Sequence, residues 1–373
     1  MSIPKVLVAP DSFKGSLSAN AVADALRNGL SRSLSQASVT LQPMADGGEG
    51  TGAILETLGG VRVPAVSATI YGTPSNGHWI RWKRTALVEA AVGSRFLSAQ
   101  RRQGSGEHTT SVGTGMLIAA AQADPAIDEV MVALGGTGST DGGLGMLMAL
   151  GGQFRDTDGQ SVTPFGDNLS RVRQCVLPRV PKPLIGLYDV RVPLLGRRGA
   201  VAQFGLQKGI LLEDIPRVEG AMAHYVHCIQ ESAGMNWAHV PGVGAAGGMG
   251  FGILAAGGRL QPGAEVVAQW GDLDRHIKGA DWIITGEGKI DSQTVEGKVV
   301  STVVRLAAQY GKPVIAVVGS RDDDLTQLHQ MGLTLVLPLI PGPICLHDAM
   351  KNAESLIRMA GEEIGWLIRE WCP

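Results

Sequence analysis

The chain has 373 residues, 44% of them hydrophobic and 18% charged, with a net charge of -2. That balance marks a globular protein of about two domains with no charge asymmetry suited to nucleic acid or a membrane surface. No apolar run reaches membrane-spanning length, no basic segment or cleavage site precedes the first strand-like run, and Cys175, Cys228, Cys345 and Cys372 lie far apart without a CxxC pair, so zinc and a disulfide framework are excluded and a reducing cytoplasm fits.

In chain order, residues 6–9 are expected as a first strand, followed by the loop DSFKGS, with Ser18 as the N-cap of a helix to about residue 34. Residues 39–43 form a second strand that ends in MADGGEGT, after which residues 52–58 read as helix. This βαβα start predicts a parallel sheet with its functional loops on one edge. From about 62 to 91 apolar and polar residues alternate around a turn at 74–77, which predicts antiparallel strands and the start of an inserted domain. A helix near 114–123 leads to a strand at 130–134, the loop GGTGSTDGG and a helix to about residue 150. The pattern is poor to about residue 183. A strand at 184–188 then ends at Asp189, a helix spans 215–233, and 242–258 is a Gly/Ala-rich, helix-like stretch.

Periodic structure returns at DWIITGEGKIDSQTVEGK, residues 281–298. Its apolar start predicts a buried parallel strand over 281–285, stopped by Gly286 and Gly288, with Glu287, Lys289 and Asp291 following at the carboxyl end, where open α/β sheets bind ligands. A helix at 298–310, strand at 314–318, helix at 323–331, strand at 333–337 and helix at 347–371 complete the chain. The simplest assembly is an α/β protein: residues 1–65 plus 266–373 form a Rossmann-like, doubly wound parallel-sheet domain, interrupted by an inserted α/β domain with a mixed sheet over 66–265. The cleft between them is the default ligand site.

The loops DSFKGS, ADGGEGT, GGTGSTDGG, the strand end at Asp189, FGLQKG and GEGKIDS set carboxylates and lysines among glycines. Phosphoryl transfer needs that mixture: carboxylates hold Mg²⁺, lysines offset phosphate charge, and glycine lets backbone N–H groups reach the oxygens. Each loop alone reads as an ordinary βα turn. There is no GxxxxGK[ST], so a P-loop is excluded. Gly242 to Gly247 matches GxGxxG but lacks a convincing preceding strand, and reads as close backbone approach. His224 and His227 have no third ligand in view and read as ordinary helix residues.

Taken together, APDSFKGSLSA, PMADGGEGT, TSVGTG, GGTGSTDGG, FGLQKG, PGVGAAGGMG and GEGKIDSQTVEGK resemble, in order and spacing, the bacterial type I glycerate kinases. The resemblance implies phosphorylation of D-glycerate by ATP with Mg²⁺, most commonly at the 2-hydroxyl, with the 3-hydroxyl as alternative. On this reading Asp11, Ser12, Lys14, Asp46, Gly47 and Gly48 bind substrate; Gly135, Gly136, Ser139, Thr140, Asp141, Gly286 and Glu287 bind nucleotide; Asp189 and Asp291 divide the roles of base and metal ligand; and Lys289 and Lys208 offset transition-state charge. This chain departs from the family pattern at Thr140, Arg191, Val192 and Leu206, and Val192 removes an amide from a site loop. A nicotinamide-dependent dehydrogenase and a non-catalytic small-acid sensor are the other classes, and a homo-oligomer is left open.

Overall fold

A computed structural model describes residues 3–95, 106–291, 294, 297–340 and 342–371. Ser292, Gln293, Val295 and Glu296 of the GEGKIDSQTVEGK motif and Cys372 lie outside the described residues. The strands in chain order are β1 (Lys5–Val8), β2 (Ser38–Leu41), β3 (Val61–Ala68), β4 (Pro74–Trp82), β5 (Thr85–Glu89), β6 (Glu129–Ala133), β7 (Gln153–Arg155), β8 (Gln174–Val176), β9 (Leu184–Tyr188), β10 (Arg259–Pro262), β11 (Trp282–Ile290), β12 (Val314–Arg321) and β13 (Leu333–Pro338).

Two compact units divide the chain, Met1–Asp46 with Ala264–Pro373, and Gly47–Gly263. The first carries a five-stranded, wholly parallel sheet in the order β13-β12-β11-β1-β2. From β1 the chain steps outward to β2, and from β11 it steps the other way to β12 and β13. The topological switch point therefore lies between β1 and β11, whose carboxyl-end loops diverge there and leave room for a ligand. Helices Ala19–Ser33 and Ala353–Trp371 pack together beside the sheet. Leu26, Leu30, Ile357, Ile364 and Ile368 join Val6, Val8, Ile284, Ile315 and Val317 in one buried cluster. Ser18 caps the first of these helices, accepting from the Ala21 amide at 3.3 Å.

The second unit carries a six-stranded mixed sheet in the order β10-β9-β6-β5-β4-β3, parallel from β10 to β5 and antiparallel from β5 to β3, with a separate β7-β8 pair. The units exchange at Asp46/Gly47 and Gly263/Ala264, where the sequence pattern put the exchanges near 65 and 266. Glu89 accounts for the earlier exchange. It ends β5 and accepts the amides of Gly50 (2.9 Å) and Gly52 (3.1 Å), tying the start of helix Thr51–Thr57 to the second unit. No helix among the described residues is long and apolar enough to cross a membrane.

Three expectations need correction. Gly286 and Gly288 do not stop the strand: β11 runs on to Ile290, paired with β12 out to Ile290↔Arg321. A Cβ at Gly286 would strike the Val317 carbonyl and one at Gly319 would lie 2.6 Å from the Gly288 carbonyl, so glycine here permits close strand approach. The last helix is two, Leu346–Lys351 and Ala353–Trp371, separated at Asn352. The Gly/Ala-rich stretch forms the helix Ala245–Ala255, but Ala246, Gly247 and Gly248 have left-handed backbones inside it.

Candidate functional site

The switch point of the first unit opens into a cavity of about 430 Å³. Asp11, Ser12, Phe13 and Lys14 enter it from the loop after β1, Asp46 from the segment after β2, Glu287 and Lys289 from β11, and Asp291 from just beyond it. Glu287 and Lys289 share a side of β11 because side chains alternate along a strand. The loop after β1 is held by the Asp11 amide donating to the Gly286 carbonyl (2.8 Å) and by paired bonds between Phe13 and Leu17.

Carboxylates dominate the inner wall. Asp11, Asp46 and Glu287 are only 5%, 4% and 6% exposed. Burial, then the neighbouring Asp46, hold the Asp11 carboxyl well above the usual carboxylate range. Burial likewise pushes Glu287 up to about 7, against the opposing pull of Lys298 and a hydrogen bond from Thr294. Lysines meet this wall: Lys14 Nζ lies 2.9 Å from Asp46 Oδ2, and Lys289 Nζ and Lys298 Nζ each lie 3.6 Å from an oxygen of Asp291. Lys289 also reaches Asp322 at 3.4 Å. Such an arrangement can bind an anion at its lysines, present hard oxygen ligands to a cation, and keep a carboxyl near neutrality for proton transfer.

The second unit gathers another group of expected site residues. The loop after β6, GGTGSTDGG, runs beside the segment after β2: a Cβ at Gly135 would lie 2.6 Å from Gly48 Cα and 3.1 Å from Asp189 Oδ2, so only glycine lets these backbones and this carboxylate meet. Gly47 and Gly136 have positive φ in the same region. Asp141 is fully buried. It accepts from the Ser111 amide and hydroxyl (both 2.7 Å), the Gly145 amide (3.0 Å) and the Gly143 amide (3.2 Å), which fastens the starts of helices Val112–Ala123 and Leu144–Ala149 together. That is a scaffolding task for a residue expected to touch nucleotide.

Lys208 is buried too, donating to the Ser139 carbonyl at 2.7 Å. Burial lowers it to about 8 despite the nearby charges of Asp141 and Asp189. The hydroxyls of Ser139 and Thr140 are buried with no hydrogen-bond partner among the described residues. The GxGxxG segment serves close approach: the Gly142 amide donates to the Gly247 carbonyl at 3.1 Å, and a Cβ at Gly242 would lie 2.5 Å from the Tyr188 ring. Val192 is buried and its carbonyl accepts the Gly244 amide at 3.0 Å, so that position serves packing within this unit.

The model of the glycerate kinase family matches residues 6–369. The chain belongs to the glycerate kinase family. A glycerate kinase of Halalkalibacterium halodurans is 34% identical over 98% of this chain and 98% of its own, and the glycerate 2-kinase of Escherichia coli K12 is 36% identical over 96% and 97%. A candidate glycerate kinase 2 from Salmonella typhimurium LT2, solved by crystallography, superposes with a TM-score of 0.81 at 35% identity, covering 99% of both chains. Membership makes this protein a phosphotransferase, and its mixed α/β architecture resembles that of the Salmonella structure.

Within this chain the structure brings Asp11, Ser12, Lys14, Asp46, Glu287, Lys289 and Asp291 to one cavity in the first unit, while Gly47, Gly48, Gly135, Gly136, Ser139, Thr140, Asp141, Asp189 and Lys208 belong to the second. Gly286 lies inside β11. Sequence reasoning did not single out Thr294, Lys298 or the apolar wall at Leu346 and Met350. Lys298 was within sight, since EGK recurs at 296–298 after GEGK at 286–289. Thr294 carried no signal.

Proposed function

We propose that this enzyme transfers the γ-phosphoryl group of ATP to the 2-hydroxyl of D-glycerate in the presence of Mg²⁺, giving 2-phosphoglycerate and ADP. The observation that carries the reading is the meeting of Asp11, Asp46, Glu287 and Asp291 with Lys14, Lys289 and Lys298 in the first-unit cavity. The name of the Escherichia coli relative, glycerate 2-kinase, supports the choice of hydroxyl.

Lys14 and the backbone around Ser12 bind the substrate carboxylate, with Asp46 completing the substrate contacts in the first-unit cavity. Lys289 and Lys298 offset the charge that develops as the phosphoryl group passes in line between oxygens. Among the described residues no group of three or more His, Cys, Asp or Glu is arranged to hold a metal ion. Mg²⁺ needs no such cage, because it binds through one or two carboxylates together with substrate phosphates and water, and the hard oxygens present fit it. Asp291 of the first unit or Asp189 of the second would hold it, and when bound it would neutralise phosphate charge. The same two aspartates are the candidates to accept the hydroxyl proton. Lys208 acts through the Ser139 carbonyl, positioning the loop 135–143 of the second unit.

Purified protein with ATP, Mg²⁺ and D-glycerate is expected to release ADP and give a product whose ³¹P NMR coupling shows phosphate on the secondary carbon. Coupling to a methylene instead assigns the 3-hydroxyl, and no turnover above background sinks the proposal.

A further inference from the structure

The first-unit cavity is far larger than its small acid requires. A three-carbon acid spans only a few water volumes of about 30 Å³ each, and so leaves most of the cavity of about 430 Å³ unfilled. The lining also divides by chemistry. The charged residues already described come from the ends of β1, β2 and β11, while Leu339, Leu346, Ala349, Met350, Ala353 and Leu356 come from the end of β13 and the two last helices. A ligand made of hydroxyls and a carboxylate gains nothing from leucine and methionine.

This apolar side is left open at a cost. Helix Leu346–Lys351 buries none of its residues: Leu346 is 75% exposed and Met350 is exposed too, as are Ile340 and Ile344 just before the helix. Contiguous exposed apolar side chains of this kind mark binding grooves. They are also tied to the charged side. The Ser16 hydroxyl donates to the Met350 carbonyl at 2.9 Å, and a Cβ at Gly15 would lie 3.1 Å from Met350 Cε, so the apolar wall is anchored to the loop that carries Lys14. A flexible thioether at the contact suits a flat ring.

We infer that the apolar side of this cavity, Leu339, Leu346, Ala349, Met350, Ala353 and Leu356, is the seat of the purine base of the phosphoryl donor. Its phosphates then run toward Lys289 and Lys298. The inference rests on the kinase reading of the same cavity, and it adds that the donor is recognised by its base as well as by its phosphates. An apolar wall joined to a lysine-bearing wall has the polarity of a nucleotide and not of inorganic polyphosphate.

Two variants test it. Ala349→Trp fills the seat, and Leu346→Asp places charge on an exposed position that the fold does not need buried. Both are expected to raise KM for ATP about tenfold or more while leaving KM for D-glycerate within about twofold, the pattern of lost donor binding. Both should also weaken binding of a fluorescent N-methylanthraniloyl ADP by a similar factor, and wild-type enzyme should use ATP far better than inorganic tripolyphosphate. Unchanged nucleotide KM and binding in folded Leu346→Asp overturns the inference, as does a rise in KM confined to D-glycerate. Nucleotide binding is measured without the acid. Absence of turnover in the wild type would therefore count against the kinase reading alone, while loss of nucleotide binding in the variants would still support the seat.

Discussion

The Thr294 hydroxyl donates to Glu287 Oε1 at 2.7 Å and at the same time accepts the Asp291 amide at 3.1 Å. One buried hydroxyl thus fixes the side chain of one cavity acid and the backbone of another. Thr294→Val keeps the shape and removes both bonds. It is expected to cost about 1–3 kcal/mol of stability, the range for a buried polar group left without its partner, and to lower kcat/KM. Urea unfolding and steady-state kinetics check this, and wild-type values in both would remove Thr294 from the site.

Glu287 carries a pH signature. Its folded value of about 7 lies above the ordinary 4.5. The folded state therefore holds a proton that the unfolded state gives up, and stability contributed fully below pH 4.5 is lost as pH rises through 7. In metal-free buffer Glu287→Gln is expected to flatten that decline and to be more stable than wild type at pH 8, by on the order of 3 kcal/mol at 1.36 kcal/mol per unit. Turnover is expected to fall in the same variant. Parallel stability curves for the two proteins from pH 4.5 to 8 would refute the assignment.

Lys208 gives the opposite slope. Burial brings it from 10.5 to about 8. The unfolded state binds more protons between these values, so the cost of burying the ammonium, fully present below pH 8, is relieved as pH rises toward 10.5. Lys208→Met is expected to remove this rise and to reduce kcat through the loosened Ser139 carbonyl. Thermal unfolding from pH 7 to 10.5 reads the first effect.

Lys14 and Asp291 separate binding from chemistry. The Lys14 side chain is 65% exposed, and an ion pair so open to water contributes at most about 1 kcal/mol. Lys14→Met is therefore expected to change the melting temperature little and to raise KM for D-glycerate by about tenfold or more. Asp291→Asn is expected to lower kcat by about two orders of magnitude or more, the scale of one acid–base group, in a protein that unfolds normally. Near-normal turnover would take Asp291 off the catalytic list.

What the residues disclose in advance follows from how local each signal is. β1, β6 and β9 were legible because short apolar, β-branched runs ended by polar loops leave few alternatives. That Asp11, Glu287 and Asp291 lie at the carboxyl edge of the sheet, around one cavity, was legible because each follows such a run in the sequence. Gly286 and Gly288 misled because glycine ordinarily signals a turn; the partner that keeps them extended, β12 with Gly319, lies some thirty residues away. Asn352 breaks a pattern that stays helical on both sides. The anchoring role of Asp141 was invisible for the same reason, since the Ser111 groups it accepts from are brought to it only by tertiary folding.

Cys345 precedes the exposed helix Leu346–Lys351, its thiol donating to Asp348 at 3.1 Å, whereas Cys175 and Cys228 are half-buried. A polarity-sensitive dye attached there would stand one residue from Leu346. The protein thus comes with an optical handle: a change in emission on adding nucleotide would report occupancy in real time, without coupling to any downstream reaction.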